Sequence, residues 1–142
     1  MEKVKVKMKM KRLFGLIMVA SVIAAPVAMA TPATDTLLAK YKSEGVTKID
    51  PAKAKSDWTK EAKGEDGELI SCSTCHGTDF SKAGKHRKTH KVIDPMSTRV
   101  TADRFTDEKK IEKWLKRNCN DTWGRECTSQ EKADFLTFLL AQ

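Results

Sequence analysis

The pentapeptide Cys72-Ser73-Thr74-Cys75-His76 decides how this sequence folds and what it binds. Cys-x-x-Cys-His is the attachment signature of c-type haem. Two thiols three positions apart on a helical turn can each form a thioether with one haem vinyl group, and the imidazole that follows is then placed beside the iron. We therefore predict one covalent haem c, bound through Cys72 and Cys75, with His76 as the proximal axial ligand of the iron.

Two other interpretations of these cysteines compete with the haem. A redox-active dithiol belongs at a strand–helix junction of an α/β domain, and the sequence shows no such pattern. A zinc site needs two more Cys or His ligands at suitable spacing, for which His86 and His90 are the nearest candidates. The full pentapeptide and the export signal described next favour haem over both.

Residues 1–30 have the layout of a secretory signal peptide. Six basic residues come first, an apolar run spans Leu13 to Ala25, and Ala28-Met29-Ala30 is a cleavage site of the A-x-A type. A retained transmembrane anchor is the alternative, but a spanning helix needs about 20 apolar residues, and Pro26 ends this run early. We predict cleavage after Ala30, a soluble periplasmic protein without stable membrane insertion, and one domain over residues 31–142.

The net charge argues against nucleic acid as a partner. The chain has 27 basic and 19 acidic residues, a net charge of +8, but six of the basic residues and one acidic residue belong to the leader, which leaves +3. Two haem propionates would bring residues 31–142 close to neutral. The basic segment from Lys82 to Lys91 is either a docking surface for an acidic redox partner or simply solvated. Arg125 is a candidate for contact with a propionate.

Hydrophobic periodicity predicts an all-α domain with long loops and no strands. The first helix lies between Thr31 and Gly45, and Asp50-Pro51 starts a second that runs towards Lys63 with Trp58 turned inward. Together with the haem motif, this pattern predicts a small class I-like cytochrome c domain with a covalently bound haem.

Two further helices are predicted near the C-terminus. Thr106 and Asp107 open a helix, and its buried face is predicted to carry four side chains: Ile111, Trp114, Leu115 and Asn118. A loop from Asn120 to Cys127 follows. The last helix begins at the capping box Thr128-Ser129-Gln130-Glu131.

The ligand on the other side of the iron decides the function. A haem iron with two strong ligands transfers electrons, whereas an iron with a weak or absent sixth ligand binds small molecules. Met96 follows Pro95, a familiar haem-ligand setting, although a Met also packs against haem edges. Asn118 lies on a buried stripe, where an unpaired carboxamide costs about 1–3 kcal/mol, unless it caps the helix end. His86, His90 and an open position complete the candidates.

The residue after Asn118 strengthens its candidacy. Cys119 can pair with Cys127 in an oxidising compartment, because Cys72 and Cys75 are used by the haem. The bridge closes a short loop and contributes about 2–3 kcal/mol in the chain-entropy model. It would fix the helix end that presents Asn118.

Several segments resemble the sphaeroides haem protein family (SHP), which comprises oxygen-binding monohaem cytochromes c. The resemblance runs from Ser71 to Leu140 and rests most specifically on the Arg-Asn-Cys…Cys-Thr pattern. The segments that carry it are Ile93-Asp94-Pro95-Met96, Arg104-Phe105-Thr106-Asp107, Glu112 to Cys119 and Gly124 to Thr128.

This resemblance implies a distal ligand that detaches. It implies that Asn118 binds the oxidised iron and leaves on reduction, so that ferrous haem binds O2, NO or CO. It also implies a disulfide beside that ligand, matched by Cys119 and Cys127, and electron delivery from a dihaem cytochrome c.

The chemistry of the two candidate ligands predicts opposite behaviour on reduction. A neutral amide oxygen is a hard, weak ligand that suits ferric iron better than ferrous iron, whereas a thioether favours the ferrous state. We therefore favour Asn118 over Met96. An ordinary electron-transfer cytochrome c with His76/Met96 ligation is the alternative function. An enzyme such as a peroxidase is a weaker third, because no distal acid–base constellation is visible; slow oxygen reduction is the only turnover that the chemistry suggests.

Overall fold

The structure, a computed structural model, describes residues 30–142 as a helical domain with two short hairpins. The predicted signal peptide lies outside these described residues, apart from Ala30. The helices are α1 (Pro32–Ser43), α2 (Pro51–Thr59), α3 (Cys72–His76), α4 (Glu108–Trp123) and α5 (Ser129–Leu140). The antiparallel hairpins pair β1 (Ala62–Lys63) with β2 (Leu69–Ile70) and β3 (Gly84–Lys85) with β4 (Val92–Ile93). Over residues 30–142, no helix is both long and apolar enough to cross a membrane.

The helix starts lie where the sequence predicts them. The side chain of Asp50 accepts a hydrogen bond from the Lys53 backbone N–H at 3.0 Å and caps α2 ahead of Pro51. At α5 the predicted capping box is present, with the Glu131 backbone N–H donating to Thr128 Oγ1 at 3.2 Å. Side-chain acceptors satisfy backbone donors that have no partner inside the helix, which is why these residues fix helix starts.

Three local predictions are wrong. Helix α2 ends at Thr59 rather than near Lys63. The segments expected to lack strands contain the two hairpins, each of two-residue strands that are too short to leave a periodic pattern. The expected loop from Asn120 to Cys127 is shorter, because α4 runs on to Trp123 and ends at Gly124, whose left-handed conformation places its N–H 2.9 Å from the Asn120 carbonyl.

The core consists of two hydrophobic clusters. The first joins α1, α4 and α5 and includes Leu37, Tyr41, Ile111 and Leu136. The second joins α2, α5 and the disulfide region, and its buried members are Ala54, Trp58, Met96, Cys119, Cys127, Phe135, Phe138 and Leu139. Cys72 of α3 and Leu115 of α4 pack against the second cluster, so α3 and α4 share it.

The predicted α4 stripe is buried to different degrees along its length. Ile111 is buried, and Leu115 and Asn118 are half-buried, but Trp114 is 43 % exposed. Its ring lies 5.6 Å from Lys113 Nζ and 5.6 Å from the Arg117 guanidinium carbon. The stripe passes through Ile111 and Leu115, and Trp114 lies at its edge, one turn before Asn118, with two cations over its ring.

Candidate haem site

The attachment motif forms a short helix that is held at both ends. The Ser71 backbone N–H donates to Thr74 Oγ1 at 3.0 Å, and the Gly77 N–H donates to the Ser73 carbonyl at 2.8 Å. Gly77 has φ 68°, a conformation that costs a residue without a Cβ little. The thiols of Cys72 and Cys75 are free and half-buried on this turn.

Trp58 braces the end of this helix. Its indole Nε1 donates to the Gly77 carbonyl at 2.8 Å, and its ring centroid lies 5.6 Å from that of His76. Phe80 continues the aromatic wall at 5.1 Å from Trp58. Trp58 was predicted to turn inward, and it is 5 % exposed.

Gly84 lets the β3–β4 hairpin approach the motif closely. A Cβ at this position would lie 3.1 Å from the His76 Cα and would collide with the Cys75 carbonyl oxygen. The backbone of α3 is therefore enclosed by the hairpin on one side and by Trp58 on another.

The imidazole of His76 has the properties of a ligand. Its Nδ1 is buried and has no hydrogen-bond partner within residues 30–142. Burial, together with the charge of Arg104, lowers the pKa of His76 to about 4. The ring is therefore neutral at pH 7, which is the form that binds a metal.

The thiol of Cys72 is not that of a reactive redox pair. Burial raises the pKa of Cys72 to about 11, an effect that the nearby Thr122 hydroxyl opposes. Reactive cysteines have a lowered pKa, because the thiolate is the nucleophile. Since Thr122 belongs to α4, this contact also brings the last turn of α4 against the motif.

Helix α4 presents Asn118 from a braced end. The side chain is half-buried, and no hydrogen bond within residues 30–142 engages its amide. The next residue, Cys119, forms a disulfide with Cys127, with the Cα atoms 5.5 Å apart. Both cysteines are buried in the second cluster.

These residues fit a covalent haem. Two free thiols stand one turn apart, a neutral imidazole with an unpartnered nitrogen follows them, and an aromatic wall lies beside them. The buried guanidinium Nε of Arg104 is a further polar atom without a hydrogen-bond partner in the described residues.

Comparison with known proteins agrees with this fit. Residues 44–139 match a family model described as a domain of unknown function (DUF1924). The chain is 38% identical to the cytochrome c-type protein SHP of Cereibacter sphaeroides over 126 residues, which are 89% of this chain and 97% of the relative. The chain belongs to the SHP family of c-type cytochromes.

Solved structures show the same relationship. The structure of oxidized SHP, an oxygen-binding cytochrome c, matches with a TM-score of 0.69 and 41% identity, covering 77% of this chain and 96% of that one. The solution structure of cytochrome c'' from Methylophilus methylotrophus, which concerns haem-ligand detachment, matches with a TM-score of 0.65 and 30% identity, covering 77% and 93%. The predicted cytochrome c fold and the single covalent haem c are confirmed.

In this SHP-family chain, the other candidates for the sixth iron ligand differ in burial and in hydrogen bonding. Met96 is 8 % exposed and packs in the second cluster with Trp58 and Phe138. His86 Nδ1 accepts a hydrogen bond from the Thr89 backbone N–H at 3.1 Å, which occupies that nitrogen. His90 is exposed, whereas His86 is half-buried.

The basic segment of this family member is largely paired within the molecule. Arg87 forms ion pairs with Asp66 and, at 2.9 Å, with Glu68. Lys88 also contacts Asp66, at 2.7 Å. The basic segment from Lys82 to Lys91, a candidate docking surface, is therefore partly neutralised by the β1–β2 hairpin.

Arg125 pairs with a carboxylate of the last helix. Its Nη1 and Nη2 donate to the two carboxylate oxygens of Glu131 at 2.8 and 2.7 Å, and the pKa of Glu131 falls to about 2 because of this pair. This pair occupies both Nη atoms of Arg125, and its contact with a propionate stays a prediction. The residues that sequence reasoning missed are Thr122, Gly84 and Arg104, whose positions arise only when distant segments meet in the fold.

Proposed function

We propose that this protein is a periplasmic gas-binding cytochrome c in which the distal ligand leaves the iron on reduction. Cys72 and Cys75 form the thioethers, and His76 binds the iron from the proximal side. Asn118 occupies the sixth position in the ferric state and vacates it in the ferrous state. The free position then takes O2, NO or CO.

The observation that carries this proposal is the placement of Asn118. A half-buried carboxamide without a hydrogen-bond partner in residues 30–142 stands next to the Cys119–Cys127 disulfide. One turn later, the Thr122 hydroxyl lies near the thiol of Cys72. The helix that bears Asn118 is thus held against the helix that bears the attachment motif.

The chemistry of the amide explains why it leaves. The haem supplies a one-electron couple and, with a free position on ferrous iron, affinity for diatomic gases. The carbonyl oxygen of Asn118 is a hard donor, which favours the ferric charge and binds the ferrous ion weakly. His76, a neutral nitrogen donor fixed by the adjacent thioethers, holds its position in both states.

The relatives support the same behaviour. SHP is described as an oxygen-binding cytochrome c, and cytochrome c'' is described through detachment of its haem ligand. This chain shares their fold at 30–41% identity, so we expect its distal haem ligand to detach in the same way.

Export and electron supply complete the proposal. We propose that residues 1–30 are removed and that a partner cytochrome, a dihaem cytochrome c by family resemblance, delivers the electron. Intact mass of the periplasmic holoprotein tests the first part: the expected N-terminus is Thr31 and the added mass is one haem. A retained leader would contradict it.

An electron carrier with His76/Met96 ligation is the second candidate function. The buried position of Met96, in the cluster against which Cys72 packs, is the observation that favours it. A thioether ligand would stay bound on reduction and would block gas binding.

Two variants of the holoprotein separate these functions. Asn118→Ala should convert the ferric spectrum from low-spin to high-spin and leave the ferrous spectrum unchanged, because the amide is absent from ferrous iron already. Met96→Leu should leave both spectra unchanged. Asn120→Ala, two positions along the same helix, is the matched control.

The opposite pattern would overturn the proposal. If Met96→Leu abolishes a low-spin ferrous spectrum while Asn118→Ala changes nothing, Met96 is the ligand and the protein is an electron carrier.

A further inference from the structure

Arg104 is a half-buried cation that no carboxylate neutralises within residues 30–142. Its Nη2 donates to the Asp94 carbonyl at 2.7 Å, but its Nε is buried without a hydrogen-bond partner. The carboxylates of Asp94 and Asp103 act on it only through space, and burial lowers the pKa of Arg104. A buried charge that lacks its hydrogen bonds is costly unless a ligand supplies them.

The other arginines of the described residues do not share this state. Arg99 is exposed to solvent. The remaining three pair with carboxylates: Arg87 with Asp66, Arg117 with Asp121 and Arg125 with Glu131. Arg104 alone combines burial with an unused donor, so its surroundings require a specific anion.

The position of Arg104 indicates which anion. Its Nη2 bond to the Asp94 carbonyl holds the guanidinium beside the segment that leads to Met96, and Met96 packs in one cluster with Trp58, whose ring lies 5.6 Å from that of His76. The segment that carries it is anchored on both sides: the Arg104 backbone N–H donates to the Thr101 carbonyl at 3.1 Å, and the Phe105 carbonyl accepts from Thr31 Oγ1 at 2.6 Å. The cation is therefore held in place before any anion arrives.

We propose that Arg104 binds a propionate carboxylate of the haem through its free Nε and a neighbouring guanidinium nitrogen. A carboxylate accepts two parallel N–H donors of a guanidinium, and this paired geometry is stronger than a neutral hydrogen bond. The assignment rests on the haem cofactor and on His76 as its ligand, and it does not depend on whether Asn118 detaches.

The pair has a consequence for the iron. A positive charge fixed beside the haem opposes the extra charge of the ferric state, so Arg104 stabilises the ferrous form. Removing it leaves a propionate unpaired and shifts the equilibrium towards ferric haem. A residue that only braced the loop at Asp94 would change stability without changing this equilibrium.

Three variants of the holoprotein test the assignment. Arg104→Gln should shift the ferric/ferrous equilibrium at a fixed potential towards ferric by about threefold or more, and it should shift the propionate bending mode in the resonance Raman spectrum. Arg104→Lys keeps the charge but not the paired donors, so the equilibrium should stay within about twofold of wild type while the Raman mode shifts. Arg99→Gln, an exposed control, should change neither.

Unchanged equilibrium and unchanged propionate mode in folded Arg104→Gln would overturn the assignment, even if stability falls. If Arg104→Gln does not fold with haem, Arg104→Lys decides by its Raman mode: a shift supports the propionate contact, and no shift overturns it. None of these readouts uses gas binding, so failure here is distinguishable from failure of the Asn118 proposal.

Discussion

The two helices that flank the proposed haem are fixed by different means. Helix α3 has five residues and is enclosed by backbone and ring contacts from Trp58, Gly77 and Gly84. Helix α4 has 16 residues and is fixed through side chains, by a carboxylate network at Glu112 and by the disulfide of Cys119. Both helices are braced, yet only one of the two proposed iron ligands is expected to leave.

This difference indicates that the weak Asn118–iron bond, and not movement of the α4 backbone, accounts for the departure of the ligand. Asn118 stands one residue before a disulfide, so helix motion is a poor explanation for its departure. The weak affinity of an amide oxygen for ferrous iron is sufficient. The disulfide beside Asn118 would then keep the amide close to the iron, so that it can bind again on oxidation.

The most damaging change is loss of the proximal ligand. His76→Ala should lower the yield of haem-loaded protein by about tenfold or more and alter the spectra of both oxidation states. Haem content and absorption spectra measure both effects. His90→Asn is the control, because His90 is exposed with φ 57° and Asn tolerates that conformation. Wild-type spectra in His76→Ala would contradict the proposed proximal role.

Exchanging the distal ligand atom should make the distal ligand, like His76, stay bound on reduction. Asn118→Met replaces an oxygen donor that favours ferric iron with a thioether that favours ferrous iron. The ferrous protein should become low-spin, and CO binding should slow by about tenfold or more, as stopped-flow mixing can show. Met96→Leu serves as the control. Unaltered CO binding in Asn118→Met would mean that position 118 does not face the iron.

Removing the disulfide should loosen the distal side alone. Cys119→Ala/Cys127→Ala should lower the free energy of unfolding by about 2–3 kcal/mol in the chain-entropy model, measured with guanidinium on ferric protein. A high-spin fraction should appear in the ferric spectrum, because the end of α4 that presents Asn118 is freed. Cys127→Ala alone should match the double variant. No loss of stability would argue that the bridge braces nothing.

Acid should weaken the other anchor of α4. Burial raises the pKa of Glu112, but hydrogen bonds from Lys132, Lys40 and Tyr41 outweigh it and lower the pKa to about 2 from 4.5. A lowered carboxyl pKa stabilises the fold above pH 4.5, and this contribution is lost as the pH falls towards 2. Urea unfolding should show about 1–2 kcal/mol of this loss in wild type and not in Glu112→Gln.

Exposed Glu108, at the start of the same helix, provides the control for that experiment. Glu108→Gln should retain the full acid dependence of the wild type. Equal dependence in Glu112→Gln would show that the network does not hold α4.

The sequence predicted what local chemistry controls. The helix starts at Asp50 and Thr128 and the inward turn of Trp58 follow from caps and apolar spacing, and the structure has them. The end of α4 depends on tertiary packing of Thr122 and Cys119, so the predicted loop begins at Asn120, three residues before the helix ends at Trp123.

Part of the site could not be predicted from the sequence for a similar reason. Cys72, Cys75 and His76 are adjacent in sequence and reveal themselves as a motif. Arg104 and Gly84 matter because the chain folds them against that motif, and neither carries a local signal. Arg125 looked free as a cation, but Glu131 one helical turn beyond the loop captures it.

The central claim is a proximal ligand that stays and a distal ligand that leaves on reduction. Absorption spectra of the ferric and ferrous holoprotein, with and without CO, test it most directly. We predict a low-spin six-coordinate ferric spectrum, a high-spin five-coordinate ferrous spectrum, and complete formation of a CO complex in the ferrous protein. A low-spin six-coordinate ferrous spectrum that does not change under CO would contradict the account.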